Sequence, residues 1–81
     1  MNAQQNVAPH AVEINTYKFE AEHGKMPRGI GQWGFCPRER YNANDYLDYV
    51  MWYTGSYAHA KKSARAYFST KSGVSEVVVC P

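Results

Sequence analysis

The sequence predicts an α+β domain in which a mostly antiparallel sheet of three to four strands carries one amphipathic helix on one face. Three observations carry that prediction. Residues 54–81, TGSYAHAKKSARAYFSTKSGVSEVVVCP, spell out a capped helix followed by a short apolar strand. Alternating and β-branched runs precede it, punctuated by glycine and proline. Finally, 81 residues that are 44% hydrophobic and 15% aromatic make one domain with one core. A chain of this length buries on the order of 60% of its surface, and disorder would require few aromatics and a high net charge.

Residues 1–10 are polar and aperiodic around Pro9, which predicts a flexible tail ahead of a single domain over 11–81. From Ala11 the run AVEINTYKFEAEH alternates, with Val12, Ile14 and Thr16 on one side and Glu13, Asn15 and Tyr17 on the other. That is the period of a half-buried strand, expected over Ala11–Glu22. Gly24, Pro27, Gly29 and Gly31 crowd the next segment and predict a loop. Gln32–Arg38 follows as a second strand that presents Trp33 and Phe35 on one face, with Pro37 at its exit. The two strands would form a hairpin.

Asp45–Thr54, DYLDYVMWYT, is dense in β-formers and is read as a third strand. A helix capped by Asn44 competes for the same residues, because Leu47, Val50, Met51 and Thr54 also fall at helical spacing. Ser56 then stands as an N-cap for a helix to about Thr70, with Tyr57, Ala60, Ala64, Tyr67 and Phe68 on its apolar stripe. Gly73 supplies a left-handed residue beyond the helix. Val74–Cys80 is apolar on both faces, as a central or well-covered strand requires. The order is ββ(β)αβ. If the last two strands are neighbours, the helix between them makes them parallel and the sheet mixed.

The chemistry is sparse. The glycine-rich loop lacks both the spacing of a phosphate-binding loop and a following helix whose amides would hold a phosphate. His10, His23 and His59 are far apart, so no metal is expected, and no cofactor motif is present. Asp45 and Asp48 read as solvated carboxylates. Nothing pairs a nucleophile with a base, and an enzyme is therefore not expected. Cys36 and Cys80 are each followed by proline; they are either two buried thiols or, if their strands are neighbours, a bridged pair in an oxidising compartment. Residues 1–11 lack the cationic and apolar regions of a secretory leader, and no run approaches the roughly 20 apolar residues of a membrane span. A chain without a membrane association, acting in the cytoplasm, is expected.

What remains is surface. Lys25, Arg28, Arg38 and Arg40 flank the expected hairpin, which would bring them to one end of the sheet, with Trp33 beside them. Lys61, Lys62 and Arg65 make a second basic element on the helix. Seven tyrosines exceed what so small a core can hide with every hydroxyl satisfied, and exposed tyrosine marks interfaces. These eight residues, Lys25, Arg28, Trp33, Arg38, Arg40, Lys61, Lys62 and Arg65, are the candidate partner-binding set. The net charge of +2 is mild, so a nucleic-acid site would need both basic elements on one face, with Trp33, Tyr17 or Phe19 stacking bases. A monomer is preferred, with a weak homodimer through an exposed strand edge as the alternative.

The succession of YKFEAEHGKMPRGIGQWGF, the helix TGSYAHAKKSARAYFSTKSG and the strand VSEVVVCP resembles small single-domain proteins encoded by bacteriophages, some anti-CRISPR proteins among them. The resemblance covers most of 17–81 and transfers no site residue. It implies a non-enzymatic inhibitor or adaptor that docks on a bacterial host protein or ribonucleoprotein complex and occludes its working surface. A nucleic-acid-binding module is the alternative.

Overall fold

The computed structural model describes residues 9–81. Its elements are β1 (Glu13–Asn15), α1 (Tyr17–His23), β2 (Ile30–Pro37), β3 (Met51–Ser56), α2 (Tyr57–Ser69) and β4 (Glu76–Val79), with two 3₁₀ turns at Arg38–Arg40 and Tyr46–Tyr49. The α+β class is as the sequence predicts, and the sheet has four strands in the order β1-β4-β2-β3. Two of its pairings, β2 with β3 and β2 with β4, are antiparallel, and β1 with β4 is parallel. The expected tail lies mostly outside the described residues. Its last member, His10, belongs to the fold: its N–H donates to the Ser69 carbonyl at 3.2 Å, and its ring meets the Val74 carbonyl.

The first strand is the largest departure from the sequence prediction. Only Glu13–Asn15 is extended, and Tyr17–His23 is helical. Local capping decides this. The Asn15 side chain accepts the Tyr17 N–H at 2.9 Å, the Thr16 hydroxyl donates to Glu20, and Gly24 closes the helix at φ +71 with its N–H on the Glu20 carbonyl. A glycine is needed there because a left-handed residue with a Cβ is strained. The alternation of Val12, Ile14 and Thr16 stops where these caps begin, and Phe19 is the one α1 side chain buried in the core.

Consequently the expected hairpin between the first two strands does not form. β4 inserts between β1 and β2, in register Ile14↔Val77 and Cys36↔Val78. The apolar pattern of β4 explains its place: Val77 and Val79 face the helix side, Val78 faces the other side, and all three are fully buried. Pro37 is tolerated at the end of β2 because β3 begins with Met51 opposite Phe35, so no strand lies beside the missing N–H.

Asp45–Thr54 resolves into neither alternative as a whole. Its first half is a 3₁₀ turn, and the strand runs Met51–Ser56. Ser56 is both the last residue of β3 and the N-cap of α2, its hydroxyl accepting the His59 N–H at 3.2 Å. Tyr57, Ala60, Ala64 and Phe68 then bury one stripe against Trp33, Phe35, Val77 and Val79. Ala60 and Ala64 are fully buried and small, which lets the helix backbone approach the sheet closely. Tyr67, expected on the stripe, stands about 100° around the helix from Phe68 and is 47% exposed. Among the described residues no helix is long and apolar enough to cross a membrane.

Candidate interaction surface

α2 occupies one face of the sheet, and residues 38–50 fold back over part of the other. There the Cys36 thiol lies 3.9 Å from the Tyr46 carbonyl, and Tyr41 packs on Tyr46 with ring centroids 5.7 Å apart. This return brings together side chains that are distant in sequence. The Lys18 ammonium at the start of α1 lies 5.5 Å from the Tyr17 ring centre and 5.7 Å from that of Tyr41. Arg38 places its guanidinium 5.9 Å from the Tyr17 ring and 3.6 Å from the Glu76 carboxylate. Glu76 also accepts from the Asn15 amide at 2.8 Å. Arg40 covers the Tyr49 ring at 4.5 Å.

Each such contact is worth about 0.5–1 kcal/mol at an exposed site. Its larger effect is on order: a lysine or arginine laid along an aromatic ring has already lost rotamer freedom that a docking contact would otherwise remove. Tyr17 and Tyr49 are 43% and 40% exposed, so the rings keep apolar area to offer. Burial pushes the Tyr41 phenol above its ordinary value, reinforced by the neighbouring Cys80, Tyr46, Tyr17 and Cys36 groups. It therefore stays a neutral hydrogen-bonding group at physiological pH. Glu76 lies against Arg38, and Asp48 lines the adjoining cleft. The surface is thus of mixed sign.

Beside it, a cleft of about 250 Å³ opens between the second 3₁₀ turn and the end of α2, walled by Tyr49, Tyr67 and Phe68 with Asp48 and Lys71 at its polar positions. Lys71 lies 4.6 Å from the Tyr67 ring centre. The volume is below the roughly 300–1,000 Å³ of small-molecule sites and suits a single inserted side chain.

The residues expected to bind a partner do not form one patch. Lys25 and Arg28 are exposed in the α1–β2 connection, and Arg38 and Arg40 lie beyond the other end of β2. Eight strand residues separate the pairs, about 27 Å at 3.3–3.4 Å per residue. The hairpin that would have united them is absent. Trp33 is a core residue, 7% exposed, with its indole N–H donating to the Gly55 carbonyl at 3.0 Å and its ring against Phe19 and Tyr57. Phe19 is buried with it, so neither ring is free to stack a base. Lys61 is half-buried over the Tyr57 ring at 5.6 Å, while Lys62 and Arg65 are exposed. Tyr57 is raised by burial and partly lowered by Arg65.

These helix cations sit on the α2 side of the sheet. Arg38, through Glu76 and Tyr17, sits on the other, because Glu76 alternates with the core residue Val77. Both cysteines are free thiols: Cys36 is buried, and Cys80 lies on the same face diagonally across the β2–β4 pair. Lys18 is the contributor that sequence reasoning missed, and its signal, a cation flanked by Tyr17 and Phe19, becomes meaningful only once residue 41 is known to return to it.

No protein-family model, curated protein or solved structure matches this chain.

Proposed function

We propose that this protein is a non-enzymatic docking protein that binds a protein surface through the face built from Tyr17, Lys18, Arg38, Arg40, Tyr41 and Tyr49. The observation that carries this reading is the pre-ordered set of cation–ring contacts on half-exposed tyrosines, a composition typical of the anchoring residues of protein interfaces. The mixed charge of the face supports a protein partner over a phosphate backbone, which would meet Glu76 and Asp48 as well as the cations. The cleft beside Tyr49 would receive one side chain of the partner. Taken with the resemblance to small phage-encoded proteins, the proposed partner is a bacterial host protein or defence complex in the cytoplasm, whose working surface the bound protein occludes.

The test is capture from bacterial lysate with and without nuclease, at low and high salt, comparing the wild type with Lys18→Glu/Arg40→Glu and, as a control, Lys61→Glu/Arg65→Glu. A partner retained by the wild type and the control but lost by the first variant supports the reading. Equal capture by all three refutes the assigned face, and loss of every partner on nuclease treatment supports nucleic-acid binding instead.

A further inference from the structure

β3 is an edge of the sheet, and the geometry of its free side is fixed by a contact two strands away. The Cys80 N–H donates to the Gly34 carbonyl at 2.8 Å, so the polar groups of Gly34 point to β4. Gly34 lies opposite Trp52 in the β2–β3 register. In an antiparallel pair, opposed residues either exchange both hydrogen bonds or turn both sets of groups away from each other. Trp52, and Thr54 two residues on, therefore direct their N–H and C=O outward from the sheet. Among the described residues no other segment donates to or accepts from them.

Natural edges of this kind carry a lysine, a proline or an inward-pointing charge that discourages pairing. From Tyr49 to Ala58, YVMWYTGSYA, the chain has no charged residue and no proline. The opposite edge differs: β1 is three residues long and begins with Glu13. The side chains around the free edge also suit burial, since Trp52 is 51% exposed.

We infer that β3 pairs antiparallel with the β3 of a second copy of this chain about a two-fold axis through Tyr53, giving a continuous eight-stranded sheet. The choice of a second copy follows from the spacing. With the axis at residue 53, the outward groups of Trp52 meet those of Thr54 of the partner copy and the reverse, so the strand is its own complement. The two Trp52 positions become diagonal neighbours about 7–8 Å apart on one face, where each indole lies over Gly34 of its own copy. The paired spans are neutral, so no like charges are opposed even though each copy carries +2. Two six-residue strands reach only about 20 Å, less than the ~1,200 Å² or more of a standard interface would need. The dimer is accordingly weak and dependent on concentration, and it leaves the Tyr17–Arg38 face of each copy free.

Sedimentation equilibrium of the purified protein, from micromolar to millimolar concentration, tests this. The average mass should rise from 9.2 kDa toward twice that value. Tryptophan emission should shift to shorter wavelength in parallel, because Trp52 leaves water while Trp33 is already buried. Thr54→Pro removes an N–H that no bond among the described residues uses, and should remain monomeric at millimolar concentration with an unchanged circular dichroism spectrum. Trp52→Lys restores a charge to the edge and should do the same, deciding the matter alone if the proline variant does not fold. A wild type that stays at 9.2 kDa throughout, or a folded variant that dimerises as the wild type does, overturns the inference.

Discussion

Phe35 and Ile30 lie five positions apart in β2, and replacing each by alanine tests which face of the strand carries the core. Phe35 is fully buried, opposed by Met51 on one side and Val79 on the other, with the Tyr57 ring stacked over it at 6.4 Å. The strand around it is hydrogen-bonded on both flanks, and α2 meets this core with Tyr57, Ala60, Ala64 and Phe68, two of them too small to move in and fill the space. The Phe35→Ala variant should therefore lie in the range of about 3–5 kcal/mol reported for buried Phe→Ala changes. An 81-residue domain has roughly 4–12 kcal/mol of stability in all, so the loss takes a large share of it and lowers the melting temperature by about 12 °C or more. Ile30 is 82% exposed, and Ile30→Ala should change stability by no more than about 0.5 kcal/mol. Urea unfolding followed through Trp33 emission reads both. A loss below about 1 kcal/mol at Phe35, or equal losses at the two sites, refutes the assigned core and the facing of β2.

Two further outcomes follow from particular groups. Removing the Ser56 hydroxyl leaves the His59 N–H without its acceptor, so Ser56→Ala should cost about 1 kcal/mol in urea unfolding, and a loss near zero would show that the cap is not formed in solution. Burial, reinforced by Cys36, pushes the Cys80 thiol from an ordinary value of 9.0 up to about 11. Because the folded state holds this proton more tightly than the unfolded one, the contribution is intact below pH 9 and is lost as pH rises toward 11. The unfolding midpoint should fall across that window, less steeply in Cys80→Ala, and the wild-type thiols should react slowly with iodoacetamide at neutral pH.

How far the fold was legible depended on how local its determinants are. α2 could be read almost to the residue because Ser56, the alanine spacing and Phe68 all act within a few turns of one another. β4 was recognisable as a covered strand because EVVV is apolar on both faces. Tyr17–His23 was misread: Tyr17 and Phe19 continue a period of two as well as they begin a helix, and the deciding Asn15, Thr16 and Gly24 contacts are caps that compete with that pattern. The sheet order was beyond local reading, since β1 carries no mark saying that residues more than sixty positions later will lie beside it. The candidate interaction surface shared that fate. The excess of tyrosines announced that some would be exposed, but the partnership of Lys18 with Tyr41 and the separation of Arg28 from Arg38 exist only through the pairing of β2 with β3 and β4. Trp33 is buried for a simpler reason: its position alternates with the exposed Gln32 and so faces the helix.

The position of β4 also bears on how the chain is made. Three strands emerge from the ribosome before residues 76–79 do, yet among the described residues β1 pairs with β4 alone, and β2 has only β3 until β4 arrives. During synthesis the nascent chain can hold a two-stranded ribbon with its helix, while β1 waits with Val12 and Ile14 uncovered. The insertion of β4 seals the sheet from its middle. Until that insertion an apolar slot lies between two waiting strands, open to any extended peptide nearby, which makes the arrival of residues 76–79 the step that secures this sheet.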